Sequence, residues 1–153
     1  MERIAEFMRI SKNKNNESFY DDIILPKRAT SGSAGYDFYI PYDLKINPNE
    51  SVRVETNVRC KIDNGYVLMV FPRSSLGFKY KLQLDNTVGV IDSDYFNADN
   101  EGHIIVCLTN HSDKVLELKK NDRFAQGVFL KFGITIDDEV NTERTGGYGS
   151  TGK

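Results

Sequence analysis

The stretch SVRVETNVRCKI, residues 51–62, repeats its character every second residue. Val52 and Val54 share one face, then Val58, Cys60 and Ile62 do, with Arg53, Arg59 and Lys61 between them. Successive side chains of a strand point to opposite faces, so this alternation predicts half-buried β-strands. Asn64-Gly65 follows as a hairpin signal. GYVLMVF, residues 65–71, is a continuous apolar run and predicts a more fully buried strand. HIIVCLTN (103–110), KVLELK (114–119) and RFAQGVFLKF (123–132) are further strands. Turn formers separate them: Asn47-Pro48-Asn49, residues 110–113, and Lys120-Asn121-Asp122. Only SSLGFKYKL (74–82) and parts of residues 1–22 suit short helices. Many short strands at a spacing of roughly 8–12 residues predict an all-β fold. A sandwich, a distorted jelly roll or a β-barrel-like sandwich all suit that pattern, with at most one or two short helices. Residues 11–22, rich in Asn, Lys and Ser, read as a mobile surface loop.

The bulk properties narrow the function classes. A chain of 153 residues suits one domain, 1–153, with a variable N-terminal segment (1–22) and a flexible C-terminal tail (141–153). Hydrophobic residues make up 39%, but nine Phe and eight Tyr bury much area per residue. Twenty basic and 22 acidic residues give a net charge of −2, so nothing points to a nucleic-acid duplex or an anionic membrane. No apolar run approaches the ~18–20 residues of a membrane span, and the N-terminus has no signal-peptide core. Cys60 and Cys107 lack metal spacing and sit in strand-like runs. They read as buried free thiols of a reducing cytoplasm, with a single disulfide as the alternative.

Five clusters ask for more than folding. In SAGYD (33–37) a small-residue turn leads into a strand that opens on Asp37; a capped turn accounts for it without a ligand. In FPRSSLG (71–77) a strand stops at proline and releases Arg73, Ser74, Ser75 and several backbone N–H groups together. That assembly suits an oxyanion; the plainer account is a serine N-cap beside a solvated arginine. In NTVGVIDSDY (86–95) apolar residues bracket Gly89, with Asn86 and Asp92 at the ends. Such a bent strand pair can read a flat base with its backbone, and Asp92 can serve as general base to a water; a hairpin with polar ends is the plainer account. NDRFAQG (121–127) sets Gln126 in an apolar stretch, where an amide needs its own sheet or a ligand as partner. RTGGYGSTGK (144–153) combines a cation, a ring and four glycines, the makings of a lid or else a frayed end.

Taken in order, the five resemble the motifs of the trimeric dUTP nucleotidohydrolases, or dUTPases: SAGYDF, PRSSLG, GVIDSDY, NDRFAQG and RTGGYGSTG. The resemblance covers about residues 25–152 and implies a jelly-roll-like fold and Mg²⁺-dependent hydrolysis of dUTP to dUMP and pyrophosphate. It implies that Asp92 activates the water attacking the α-phosphate. Tyr95 would lie under the deoxyribose and reject a 2′-hydroxyl, while Asn86 and the backbone of Gly89, Val90 and Ile91 would pair with uracil. Arg73, Ser74, Ser75 and Gln126 would bind phosphates, and Asp37 would support the metal-water or tail network. Arg144 would hold the γ-phosphate and Tyr148 cover the base. The ion would be held mainly by the phosphates and waters, with no direct protein ligand. Each site of a homotrimer would draw on several subunits.

This chain departs from the family pattern twice. A longer polar loop, residues 96–103, follows Tyr95, and Arg144 stands four residues before Tyr148 where many members have five. Two rivals stand beside this reading. A dCTP deaminase of the same fold needs a glutamate near position 107, where this chain has Cys107. A non-catalytic jelly-roll binding or regulatory module would be expected to have lost Asp92, Tyr95 or the tail, and all are present.

Overall fold

The computed structural model describes residues 1–144 and Gly146. Among them the two-residue periodicity becomes twelve strands, every pairing antiparallel. They are β1 (Ala5–Arg9), β2 (Lys27–Arg28), β3 (Tyr36–Tyr39), β4 (Leu44–Ile46), β5 (Ser51–Glu55), β6 (Val58–Ile62), β7 (Tyr66–Pro72), β8 (Leu82–Leu84), β9 (Gly89–Ile91), β10 (Ile105–Asn110), β11 (Leu116–Leu118) and β12 (Arg123–Lys131). One α-helix, α1 (Ser74–Tyr80), joins β7 to β8, and 3-10 turns lie at Tyr20–Asp22 and Ser93–Asn97.

A five-stranded sheet runs β2-β3-β12-β7-β9, a three-stranded one β5-β10-β8, and two pairs are β1-β6 and β11-β4. Among the described residues no sheet closes on itself, so the fold is a jelly roll of short sheets and not a barrel. Their inner faces meet in one core that includes Phe38, Val54, Leu68, Val70, Leu108 and Phe124, each at most 1% exposed. Each such side chain contributes about 1.5–3 kcal/mol of burial.

Residues 51–55 and 58–62 are strands as expected, and they lie in different sheets. Other expectations need correction. Asn64-Gly65 does form a turn, with Gly65 at φ 86° and the Tyr66 N–H donating to the Asp63 carbonyl at 3.2 Å. It joins β6 to β7 across sheets, however, so it is a corner and not a hairpin. The run in β7 is fully buried only at Leu68 and Val70; the alternate residues Val67, Met69 and Phe71 are half-buried. Residues 5–9 form a strand, not a helix, because β6 offers them an unpaired edge.

The loop of residues 11–22 is docked. Asn16 is 1% exposed. Its amide donates to Ser11 O at 3.1 Å and Asn57 Oδ1 at 3.2 Å, and its oxygen accepts the Asn13 N–H at 2.8 Å. A short amide with all its partners supplied is worth burying. Both cysteines are free, as expected, but only Cys60 is buried; Cys107 is half-exposed on β10. Burial pushes the Cys60 thiol up to about 12, which leaves it unreactive.

Candidate active site

Two poles carry the chemistry. The first is a cleft of about 800 Å³ at the β7–α1 junction. Pro72 ends β7, and Arg73 takes the N-cap position of α1 with extended backbone (φ −64°, ψ 132°). No side chain caps this helix, so the serine-cap alternative does not hold. Ser74 and Ser75 lie exposed in the first turn. The Arg73 N–H donates to the Phe124 carbonyl at 3.0 Å, tying this corner to β12.

Arg73 and Ser75 line the cleft together with Asp37, Lys27, Arg28, Lys79 and Arg123. Five cations against three acids, Asp37, Glu117 and Asp122, leave an excess of positive charge that suits a polyanion. Lys27, Arg28, Lys79 and Arg123 were missed in the sequence. Arg123 had a signal, since it lies inside the fourth motif; the others are brought in by β2 and α1. Asp37 is claimed by Arg123, whose Nη1 lies 3.1 Å from Asp37 Oδ2. Gln126 pairs in register with Asp37 on one side and Phe71 on the other. Its side chain crosses Gly35, where a Cβ would stand 2.8 Å from Gln126 Oε1. The glycine of the first motif therefore makes room for the amide of the fourth. Among the described residues that amide makes no hydrogen bond, and it is half-buried, not buried.

The second pole is the edge strand β9. A tight turn reverses the chain after β8: the Thr87 N–H donates to Leu84 O at 2.9 Å, and Thr87 has φ 69°. A single bridge, Leu84↔Thr87, closes it before β8 and β9 part into different sheets. Asn86 sits exposed in this turn. Gly89 packs tightly, since a Cβ there would stand 3.1 Å from Val70 Cβ and push that side chain aside. Val90 faces outward, 55% exposed, and Ile91 is half-buried.

Asp92 leaves β9 with its side chain 49% exposed. Tyr95 is 5% exposed; its hydroxyl donates to His103 O at 2.7 Å and accepts from Asn100 Nδ2 at 2.8 Å. Arg144 covers this pole. Its Nη2 donates to Asp92 Oδ2 at 2.9 Å, and its Nε lies 3.0 Å from Asp94 Oδ1 at an angle too poor for a hydrogen bond. Its guanidinium carbon sits 5.7 Å from the Tyr95 ring centre. Asp94 was not singled out in the sequence, where it reads only as a helix-turn acid. Arg144 is thus placed on the acid and the ring of its own chain, one donor bonded to Asp92 and the Asp94 carboxylate adding charge attraction. Tyr148 lies outside the described residues.

Among the described residues no three His, Cys, Asp or Glu side chains converge on one point. Two neighbouring exposed carboxylates, Asp92 and Asp94, nonetheless suit a hydrated Mg²⁺, which keeps several waters and leans on substrate phosphates.

The register separates the poles. Asp92 lies two residues past Val90, which pairs with Met69, whereas Gln126 pairs with Phe71. Asp92 is therefore four residues along and two strands across from Gln126, roughly 17 Å at ordinary strand dimensions.

An all-β jelly roll with a cationic cleft at one end of a sheet and a half-exposed carboxylate, held by Arg144, at the other defines a β protein suited to a phosphorylated ligand. Residues 21–152 match the family model described as dUTPase. The chain is 40% identical to the deoxyuridine 5'-triphosphate nucleotidohydrolase of Lactococcus lactis subsp. lactis (strain IL1403), over 98% of this chain and 99% of that protein. A crystal structure of the dUTPase from Streptococcus mutans superposes with TM-score 0.72 at 39% identity, covering 86% of this chain and 98% of that one. A dUTPase mutant from phage phi11 of S. aureus, described for its coordination of a structural Mg(II) ion, shares the fold at TM-score 0.69 and 17% identity, covering 92% and 98%. This chain belongs to the dUTPase family.

Proposed function

We propose that the chain hydrolyses dUTP to dUMP and pyrophosphate, which keeps uracil out of DNA and supplies dUMP for dTMP synthesis. The observation that carries this reading is the pairing of an accessible carboxylate, Asp92, with a hydroxyl-anchored ring, Tyr95, at one strand end. Asp92 takes a proton from water as its oxygen bonds to the α-phosphorus; the bridging oxygen then departs with the pyrophosphate. Mg²⁺, when bound with the substrate, would supply neutralisation of the charge on the leaving group, and Asp92 and Asp94 would be the carboxylates placed to hold its waters. Arg73, Ser74, Ser75 and Gln126 hold the phosphates, with Lys27, Lys79 and Arg123 adding to the field and Asp37 orienting Arg123. Asn86 and the backbone of Gly89, Val90 and Ile91 read uracil. Arg144 exchanges Asp92 and Asp94 for the γ-phosphate, and Tyr148 covers the base.

A homotrimer with shared sites belongs to the same proposal. Three observations support it. The two poles stand roughly 17 Å apart within one chain at strand dimensions, so a neighbour's Asp92 must serve each cleft. An apolar stripe, Val67, Met69, Val90, Val128 and Leu130, runs across the outer face of β9-β7-β12. Past β12, Phe132, Ile134 and Ile136 keep a two-residue period while 48%, 74% and 108% exposed. Exposed apolar surface of this extent marks an interface. A cytoplasmic location, or the host cytoplasm for a viral gene, fits the two free thiols.

The test is pyrophosphate release from dUTP, UTP and dCTP by the purified protein, with dCTP also assayed for ammonia. Mg²⁺-dependent turnover confined to dUTP is expected; none, or ammonia from dCTP, rejects the reading. Tyr95→Ala should relax selectivity against UTP by ~10-fold or more, since a 2′-hydroxyl no longer meets the ring. Unchanged dUTP/UTP ratios of kcat/KM would remove Tyr95 from that role.

A further inference from the structure

We propose that Asn100 is a positioning residue for sugar discrimination, acting through the hydroxyl of Tyr95. The proposal rests on dUTP hydrolysis as the activity. A tyrosine ring can turn about its side-chain bonds unless its far end is tied. Here the far end is tied twice, by donation to His103 O and acceptance from Asn100 Nδ2.

Those two partners are themselves held. Asn100 Oδ1 accepts the Gly102 N–H at 3.2 Å. Gly102 has φ 70°, and a Cβ there would stand 2.6 Å from Tyr95 O, so the loop doubles back directly over the backbone of Tyr95. His103 Nε2 accepts the Asn57 N–H at 2.9 Å, and burial lowers the pKa of this imidazole, which keeps it neutral and able to accept. On the outer side Glu101 accepts from the Ser11 hydroxyl at 2.7 Å and N–H at 3.2 Å. Arg59 donates to Phe96 O at 2.6 Å and stacks on the Phe96 ring at 3.6 Å.

A loop that merely had to be stable would spend its amide on backbone. Asn100 instead spends its donor on Tyr95, the ring proposed to meet the sugar. The polar loop of residues 96–103, longer than many members have, thereby gains a purpose. It sets the height of the ring against which a 2′-hydroxyl is judged, and a displacement near 1 Å is enough to change such a judgement.

The test uses the full chain and compares kcat/KM for dUTP and UTP in the wild type, Asn100→Ala, Tyr95→Phe and the double variant, with melting temperatures alongside. Asn100→Ala should lower dUTP-over-UTP selectivity about five- to tenfold, the scale of one lost buried hydrogen bond. Tyr95→Phe, which removes the shared hydroxyl, should do the same, and the double variant should be no worse than either single one. Unchanged selectivity in Asn100→Ala, even with a lower melting temperature, overturns the proposal. So does an undiminished further loss when Asn100→Ala is added to Tyr95→Phe. If Asn100→Ala does not fold, Tyr95→Phe decides alone: the same loss supports the proposal, and full selectivity overturns it. A wild type inactive on dUTP refutes the activity itself, whereas an active wild type with an unaltered Asn100→Ala refutes only the positioning role.

Discussion

Replacing Asp92 with asparagine is expected to lower kcat for dUTP hydrolysis by ~10²–10⁴, the worth of a positioned general base, with little change in nucleotide affinity. Asparagine keeps the shape and still accepts a hydrogen bond from Arg144, but it cannot take a proton from water. The side chain is 49% exposed at the end of an edge strand, so the exchange opens no cavity. Loss of turnover with normal melting and normal dUTP titration would locate the effect in proton transfer. A variant as fast as the wild type would strip Asp92 of the role.

Ending the chain after Val140 is the second large effect. It removes Arg144, the side chain that shields both Asp92 and the Tyr95 ring. Hydrolysis should slow ~10²–10³-fold, the usual cost of one aimed donor at a developing charge. Melting should move little, because residues 141–143 are exposed and the Asp92 and Asp94 carboxylates that Arg144 meets are about half exposed, so their charge returns to water when the tail is gone. A truncated protein with full kcat/KM would show that the tail does nothing for the reaction.

How much of this was readable beforehand differs from residue to residue. The local setting of Asp92, Tyr95, Arg73 and the two serines was legible because each stands in a short run whose form is set by its neighbours. The proline that ends β7, the start of α1 and the single turn between β8 and β9 are all decided within a few positions. Lys27, Arg28 and Lys79 were not legible, since each belongs to an element that says nothing of the cleft until the sheet is assembled. The same holds for Asn100. As sequence it is one more polar residue of a loop, and its meaning lies in a hydroxyl five positions back that the chain must curl over Gly102 to reach.

Residues 51–62 draw the boundary. Their alternation alone determined that they are strands and that Val54 and Cys60 face a core; the all-β class came from many such runs along the chain, and the five ordered motifs from resemblance to a family. Period two is a property of the backbone and needs no partner to be seen. Which strand lies beside which was decided only in three dimensions: β5 took β10 and β6 took β1, although one short turn separates them. Strand partners are chosen by closing long loops onto complementary edges, a competition among distant segments that no local pattern records. That same choice set Asp92 and Gln126 far apart on one sheet, a separation that no short stretch of sequence records.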